Sequence, residues 1–166
     1  YLEIGPGHGI FLKDAITILG EQNNFLAVDI SEASINITNS ILKHLLKRNP
    51  VEYITMDILK FDSDRKMDFI TMGEVLEHVN YPDKLLTKFS NMLSENGRGF
   101  ISTCVNCPTI DHVCHFKCVA EIRELLTRNG LVIMEELVLP VEDLPMEEII
   151  EKKITINYCA IVSKKS

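Results

Sequence analysis

Glu74-Val75-Leu76-Glu77-His78 places two carboxylates and an imidazole within five residues. On a helix, positions 74, 77 and 78 stand at i, i+3 and i+4 and share one face. Such a set has two chemical uses. His78 can serve as a general base or orienter whose basicity the acids tune, with Glu77 as its catalytic partner, or the three side chains can hold a divalent cation through mixed oxygen and nitrogen donors. A histidine bound to a cation cannot also be the free base, so the two uses are alternatives. Farther on, Cys104, Cys107, Cys114 and Cys118 read C-x2-C-x6-C-x3-C with His112 and His115 between them. That pattern invites zinc, but Cys104 falls in an apolar strand, where a free cysteine acts as a small hydrophobe, and the central spacing is short for a zinc ribbon.

A ligand site is written at the start of the chain. Tyr1-Leu2-Glu3-Ile4-Gly5-Pro6-Gly7-His8-Gly9 reads as a buried strand that turns through a glycine-rich loop into a helix, with backbone amides facing whatever binds there. A dinucleotide fingerprint needs its third glycine at position 10, which is Ile10, so the third glycine comes one residue early. The next apolar strand, Phe25 to Asp29, ends in an acid at the point where nucleotide-binding α/β folds place a carboxylate on the ribose hydroxyls. A third strand, Val51 to Met56, leads into Asp57-Ile58, and a fourth runs from Met67 to Glu74.

The pattern E-x-G-x-G-x-G, Glu3 through Gly9, resembles motif I of the class I S-adenosylmethionine (SAM) methyltransferases. The resemblance covers essentially the whole chain. It implies a cofactor set of Glu3, Gly5, Gly7 and Gly9 in the loop, Asp29 and Ile30 at the ribose, Asp57 on the adenine amino group, Ile58 against the ring, and Gly73 where strand four passes under the cofactor. The E-x-x-E-H arrangement resembles that of quinone-biosynthesis O-methyltransferases and small-RNA 2′-O-methyltransferases, which implies a divalent ion held by Glu74, Glu77, His78 and a later histidine. His112 is favoured for that role, because Asp111-His112 followed by Phe116 resembles a segment of related methyltransferases, and His115 is the fallback. The expected activity is methyl transfer from SAM to a small-molecule hydroxyl. A metal-dependent RNA 2′-O-methyltransferase and a non-catalytic SAM-fold interaction module are the alternatives.

The surrounding elements must bring these residues to one sheet edge. Helices are expected over Gly9 to Leu19, Ser31 to Leu46 with Ser31 as N-cap, Tyr81 to Leu93 with Pro82 in the first turn, and Val119 to Asn129 before Gly130. Strand five is expected over Gly99 to Val105 after a stop at Glu95-Asn96-Gly97. Leu131 to Leu139 and Ile154 to Ser163 follow as an antiparallel pair, because the acidic connection Pro140 to Lys153 has room for only a helical turn. The fold class is therefore α/β: a Rossmann-like, seven-stranded, mostly parallel sheet with an antiparallel last strand and helices on both faces. The strand order 3-2-1-4-5-7-6 is implied by the resemblance.

The 166 residues fit one domain, residues 1–166, and Tyr1 inside the first strand leads to the expectation of further residues upstream. A net charge of −7 without a basic stripe makes nucleic acid an unfavoured partner. No apolar run reaches the ~18 residues that would span a bilayer. An odd count of five cysteines fits a reducing cytoplasm better than a disulfide scaffold. The oligomeric state has no signature in the sequence.

Overall fold

The computed structural model describes residues 1–165. Seven strands form one sheet in the order β3-β2-β1-β4-β5-β7-β6: β1 is Leu2–Ile4, β2 Phe25–Asp29, β3 Val51–Thr55, β4 Met67–Gly73, β5 Leu93–Val105, β6 Leu131–Pro140 and β7 Ile156–Lys164. The pairs from β3 across to β5 are parallel, and β7 runs antiparallel to both β5 and β6. The expected class and order both hold. Reversal at β7 follows from the short β6–β7 connection, which holds only the six-residue helix α5 (Met146–Glu151).

Helices α1 (Ile10–Leu19) and α2 (Glu32–Leu45) cover one face of the sheet, where Leu12, Ile16, Ile35 and Leu42 pack on Phe25 and Ala27. Helices α3 (Pro82–Met92), α4 (Val119–Arg128) and α5 cover the other, where Leu86, Phe89, Ile122, Leu126 and Ile149 meet Leu2, Ile4, Ile70, Met72 and Ile101 in the larger core. The local signals hold at the helix ends. Ser31 caps α2 by accepting from the Ser34 amide at 3.2 Å, and Gly20 ends α1 in a positive-φ conformation.

One boundary differs from the sequence reading. Strand β5 begins at Leu93 and runs through Glu95-Asn96-Gly97, with a register irregularity opposite Met67 to Phe69. Arg98 makes this tolerable by donating to the Asn96 and Gly97 carbonyls, each at 3.1 Å, so the irregular backbone is satisfied without a turn. Among the described residues, no helix is long and apolar enough to cross a membrane.

Candidate active site

The carboxyl ends of β1, β2, β3 and β4 meet around a cavity of about 330 Å3. Its walls include Gly5 and Gly7 from the loop after β1, Asp29 and Ile30 after β2, Asp57 and Ile58 after β3, and Glu74 and His78 after β4. Of the nine residues of the cofactor set read from the sequence, six line this space, while Glu3, Gly9 and Gly73 stand outside it. Ile4, Val28, Met56, Val75 and Val79 also line it, and nothing in their types or spacing had marked them.

The loop is shaped for an occupant. Gly7 has φ +54, and a Cβ built on it would meet no protein atom within 4 Å, so it would project into open space beside the cavity. Gly9 has a different task. A Cβ there would come 2.7 Å from Thr38 Cγ2, and the buried Thr38 donates its hydroxyl to the Gly7 carbonyl at 2.7 Å, so Gly9 lets α2 pack closely enough to hold the loop. Asp29 is fixed by the Ser31 amide at 2.8 Å and the Ser34 hydroxyl at 2.6 Å, and Asp57 accepts from the Leu59 amide at 2.9 Å. Both carboxylates are thus oriented before anything binds.

Glu3 points instead to the opposite side of β1, where the Tyr1 hydroxyl reaches Glu3 at 3.3 Å and Thr71 at 2.7 Å. Burial pushes its carboxyl up to about 8, with the Tyr1 hydrogen bond acting against the rise. Gly73 likewise faces Phe11, whose ring would lie 2.9 Å from an added Cβ.

Beside the cavity lies the histidine cluster, reached by a route the sequence did not indicate. Glu74, Glu77 and His78 do not share a helical face: Glu74 has φ 51, in the left-handed region, and only Leu76–His78 forms a single 3-10 turn. Local strain of this kind at a non-glycine residue persists where the surroundings enforce it. Ser102 does so by donating to Glu74 Oε1 at 2.6 Å. Glu77 is buried, accepts from the Thr103 hydroxyl at 2.8 Å, and presents Oε1 without a hydrogen-bond partner among the described residues. Burial raises the Glu77 carboxyl above its ordinary range, and the neighbouring Glu74 adds to the rise.

His112, from the loop after β5, completes the group. One ligand atom each from Glu77, His78 and His112 lie within 4.8 Å of one another. Both imidazoles are held in the same sense: His78 Nδ1 lies 3.0 Å from the Asp111 carbonyl and His112 Nδ1 2.7 Å from the Cys107 carbonyl. A carbonyl only accepts, so each Nδ1 carries the proton and each Nε2 keeps its lone pair for a cation or an acidic proton. The sequence reading had named Asp111 and Cys107, but neither for its backbone carbonyl. His115 joins no such group, and Cys114 and Cys118 do not join the Cys104, Cys107 and His112 set, so the four-cysteine reading fails on geometry among the described residues.

The family model described as "Methyltransferase domain" matches residues 2–98, the stretch that carries β1 to β4 and every wall of the cavity. The chain belongs to that family. The methyltransferase is of the class I, SAM-dependent kind. It is similar to the protein-lysine N-methyltransferase efm4 of Schizosaccharomyces pombe, 27% identical over 154 residues, which are 84% of this chain and 60% of that protein. It is similar also to the ubiquinone biosynthesis O-methyltransferase of Pseudomonas putida, 32% identical over 104 residues, 61% of this chain and 43% of that one. The chain thus spans 60% or less of the length of these relatives. Among solved structures, the O-methyltransferase of a trans-AT PKS multienzyme of Brevibacillus brevis, in complex with S-adenosyl-L-homocysteine, superposes with a TM-score of 0.73 at 20% identity, covering 99% of this methyltransferase and 66% of that chain.

Proposed function

We propose that this methyltransferase transfers the methyl group of SAM to a hydroxyl oxygen of a small molecule, and that Glu77, His78 and His112, with Glu74 beside them, activate the acceptor. The observation that carries the reading is that Glu74 and His78 line the same cavity as Gly7, Asp29 and Asp57. Cofactor-type and acceptor-type side chains therefore meet in one space. Asp29 would accept from the ribose hydroxyls, Asp57 from the adenine amino group with Ile58 against the ring, and Gly7 would admit the amino-acid portion. Bound SAM supplies an electrophilic methyl on a sulfonium leaving group, so much of the remaining work is alignment.

The donor set fits a divalent cation: one ring nitrogen each of His78 and His112, a carboxylate oxygen of Glu77, whose Oε1 lacks a hydrogen-bond partner, and the Glu74 carboxylate nearby. Such an ion would supply Lewis acidity toward an acceptor hydroxyl and lower its pKa. The protein's own part is to hold the imidazoles in one tautomer through the Asp111 and Cys107 carbonyls and to keep Glu77 aimed through Thr103. A lysine amine is the second reading, favoured by the alignment of 84% of the chain with efm4.

Turnover of labelled SAM with hydroxyl and amine acceptors, before and after thorough chelation and metal add-back, tests both points. Hydroxyl acceptors turning over only with metal restored is the expected result. Activity indifferent to chelation, together with a large loss in His78→Ala, would remove the cation and leave His78 as the base. Turnover confined to amines would overturn the oxygen acceptor.

A further inference from the structure

A second cavity, of about 640 Å3, opens at the same edge of the sheet on the α4 and α5 side, where β5 ends at Val105, β6 approaches its end at Val138 and β7 begins at Ile156. That volume is ordinary for a small-molecule site, roughly 300–1,000 Å3. Val119, Val138, Ile150 and Ile156 give it an apolar wall. The charged residues that line it are all basic, although just outside it Glu121 accepts from the Lys117 backbone amide at 2.7 Å. Lys117, Arg123 and Lys153 line it and no carboxylate does, in a chain that carries 24 acidic residues against 17 basic ones. Arg123 is engaged by Glu136 at 2.6 and 3.0 Å, whereas among the described residues neither the Lys117 nor the Lys153 ammonium is in an ion pair.

The backbone adds an independent observation. Lys153 follows α5 with φ 52, the left-handed conformation in which helix ends ordinarily place glycine. Its amide donates to the Ile150 carbonyl at 3.2 Å, so the strained position belongs to the helix end that forms the cavity wall. Glycine at this position would relax the chain, so Lys153→Gly removes the ammonium without adding backbone strain.

We propose that this cavity binds an amphiphilic anion, an alkyl chain ending in a carboxylate, with the chain against Val138, Ile150 and Ile156 and the head group between Lys117 and Lys153. The asymmetry of charge selects the head group, and the apolar wall selects the tail. The loop from Asn106 to Cys118 contributes to this cavity on one side and carries His112 on the other, so an occupant sits against the segment that completes the histidine cluster.

The test is titration of the full-length protein with decanoate, decanol and decyltrimethylammonium, with SAM titrated into the same samples. Decanoate should bind, and decanol of equal chain length should bind roughly tenfold more weakly for want of the charge-assisted contact. Lys153→Gly should weaken decanoate about fivefold while leaving the melting temperature unchanged or raised, because it relieves the left-handed lysine. That pairing separates a ligand contact from a merely structural role. Equal affinity for decanoate and decanol overturns the proposal, as does decanoate affinity unchanged in both Lys153→Gly and Lys117→Gln. Absence of decanoate binding in protein that binds SAM overturns it and leaves the methyltransferase reading standing.

Discussion

Replacing Glu3 by glutamine should convert a pH-sensitive fold into a less sensitive one. Glu3 is 2% exposed, and its carboxyl is held at about 8 against an ordinary 4.5, chiefly by burial. Below the ordinary value both the folded and unfolded forms carry the proton, and the stability is fully present. As pH rises from 4.5 toward 8 the unfolded chain ionises while the folded one keeps its proton, so stability is progressively lost through that window. At ~1.4 kcal/mol for each pH unit, the loss across it is roughly 4–5 kcal/mol. Glutamine stays neutral and keeps a carbonyl for the Tyr1 hydroxyl, so Glu3→Gln should be nearly neutral at about pH 5 and stabilising by roughly 3–4 kcal/mol at about pH 8. Urea unfolding followed by circular dichroism suits a chain without tryptophan. Parent and variant stabilities that fall in parallel between the two pH values would refute the reasoning.

Other outcomes follow from the site. Gly7→Val should abolish SAM binding measured by calorimetry while the fold survives, because its side chain enters the space beside the cavity; Gly9→Ala should instead lower thermal stability, by about 1–2 kcal/mol of left-handed strain plus the contact with Thr38. Asp29→Ala should weaken SAM binding by about 1.5–3 kcal/mol, the value of hydrogen bonds to a charged group, and unchanged affinity would remove Asp29 from the ribose. Asp57→Asn should lose less SAM affinity than Asp57→Ala, since one acceptor oxygen remains; equal losses with an intact circular dichroism spectrum would count against an adenine contact. Thr103→Val should weaken manganese binding, read by electron paramagnetic resonance, by freeing Glu77 from the hydrogen bond that aims it.

Much of the sheet was legible because its signals are local. Ser31, Gly20 and Pro82 mark helix ends by their own chemistry, and the acids at 29 and 57 follow apolar strands directly. The misses share a different cause. Glu95-Asn96-Gly97 reads as a turn because the guanidinium of Arg98 that satisfies its carbonyls acts only after folding. Glu74 carries no local mark of a left-handed backbone, so a helical face was the natural reading of residues 74–78. Glu3 belongs to the motif by spacing, yet its neighbour across the sheet is Thr71, whose position depends on β1 and β4 pairing. The supports of the site, Thr38 on Gly7 and Thr103 on Glu77, join residues 31 and 26 positions apart.

The final strand of the sheet in chain order is not the final strand in space. Because β7 lies between β5 and β6, β5 is paired only with β4 and β6 with no strand until residues 156–164 have been made. During synthesis, the thirteen-residue β5 and the ten-residue β6 would both offer open backbone edges, and open edges recruit other chains. A ribosome that stalls after β6 would release a chain with its ligand loops written but its sheet split, a natural client for chaperones and proteases. Completion of the nine residues of β7 is therefore a quality-control step as well as an assembly step.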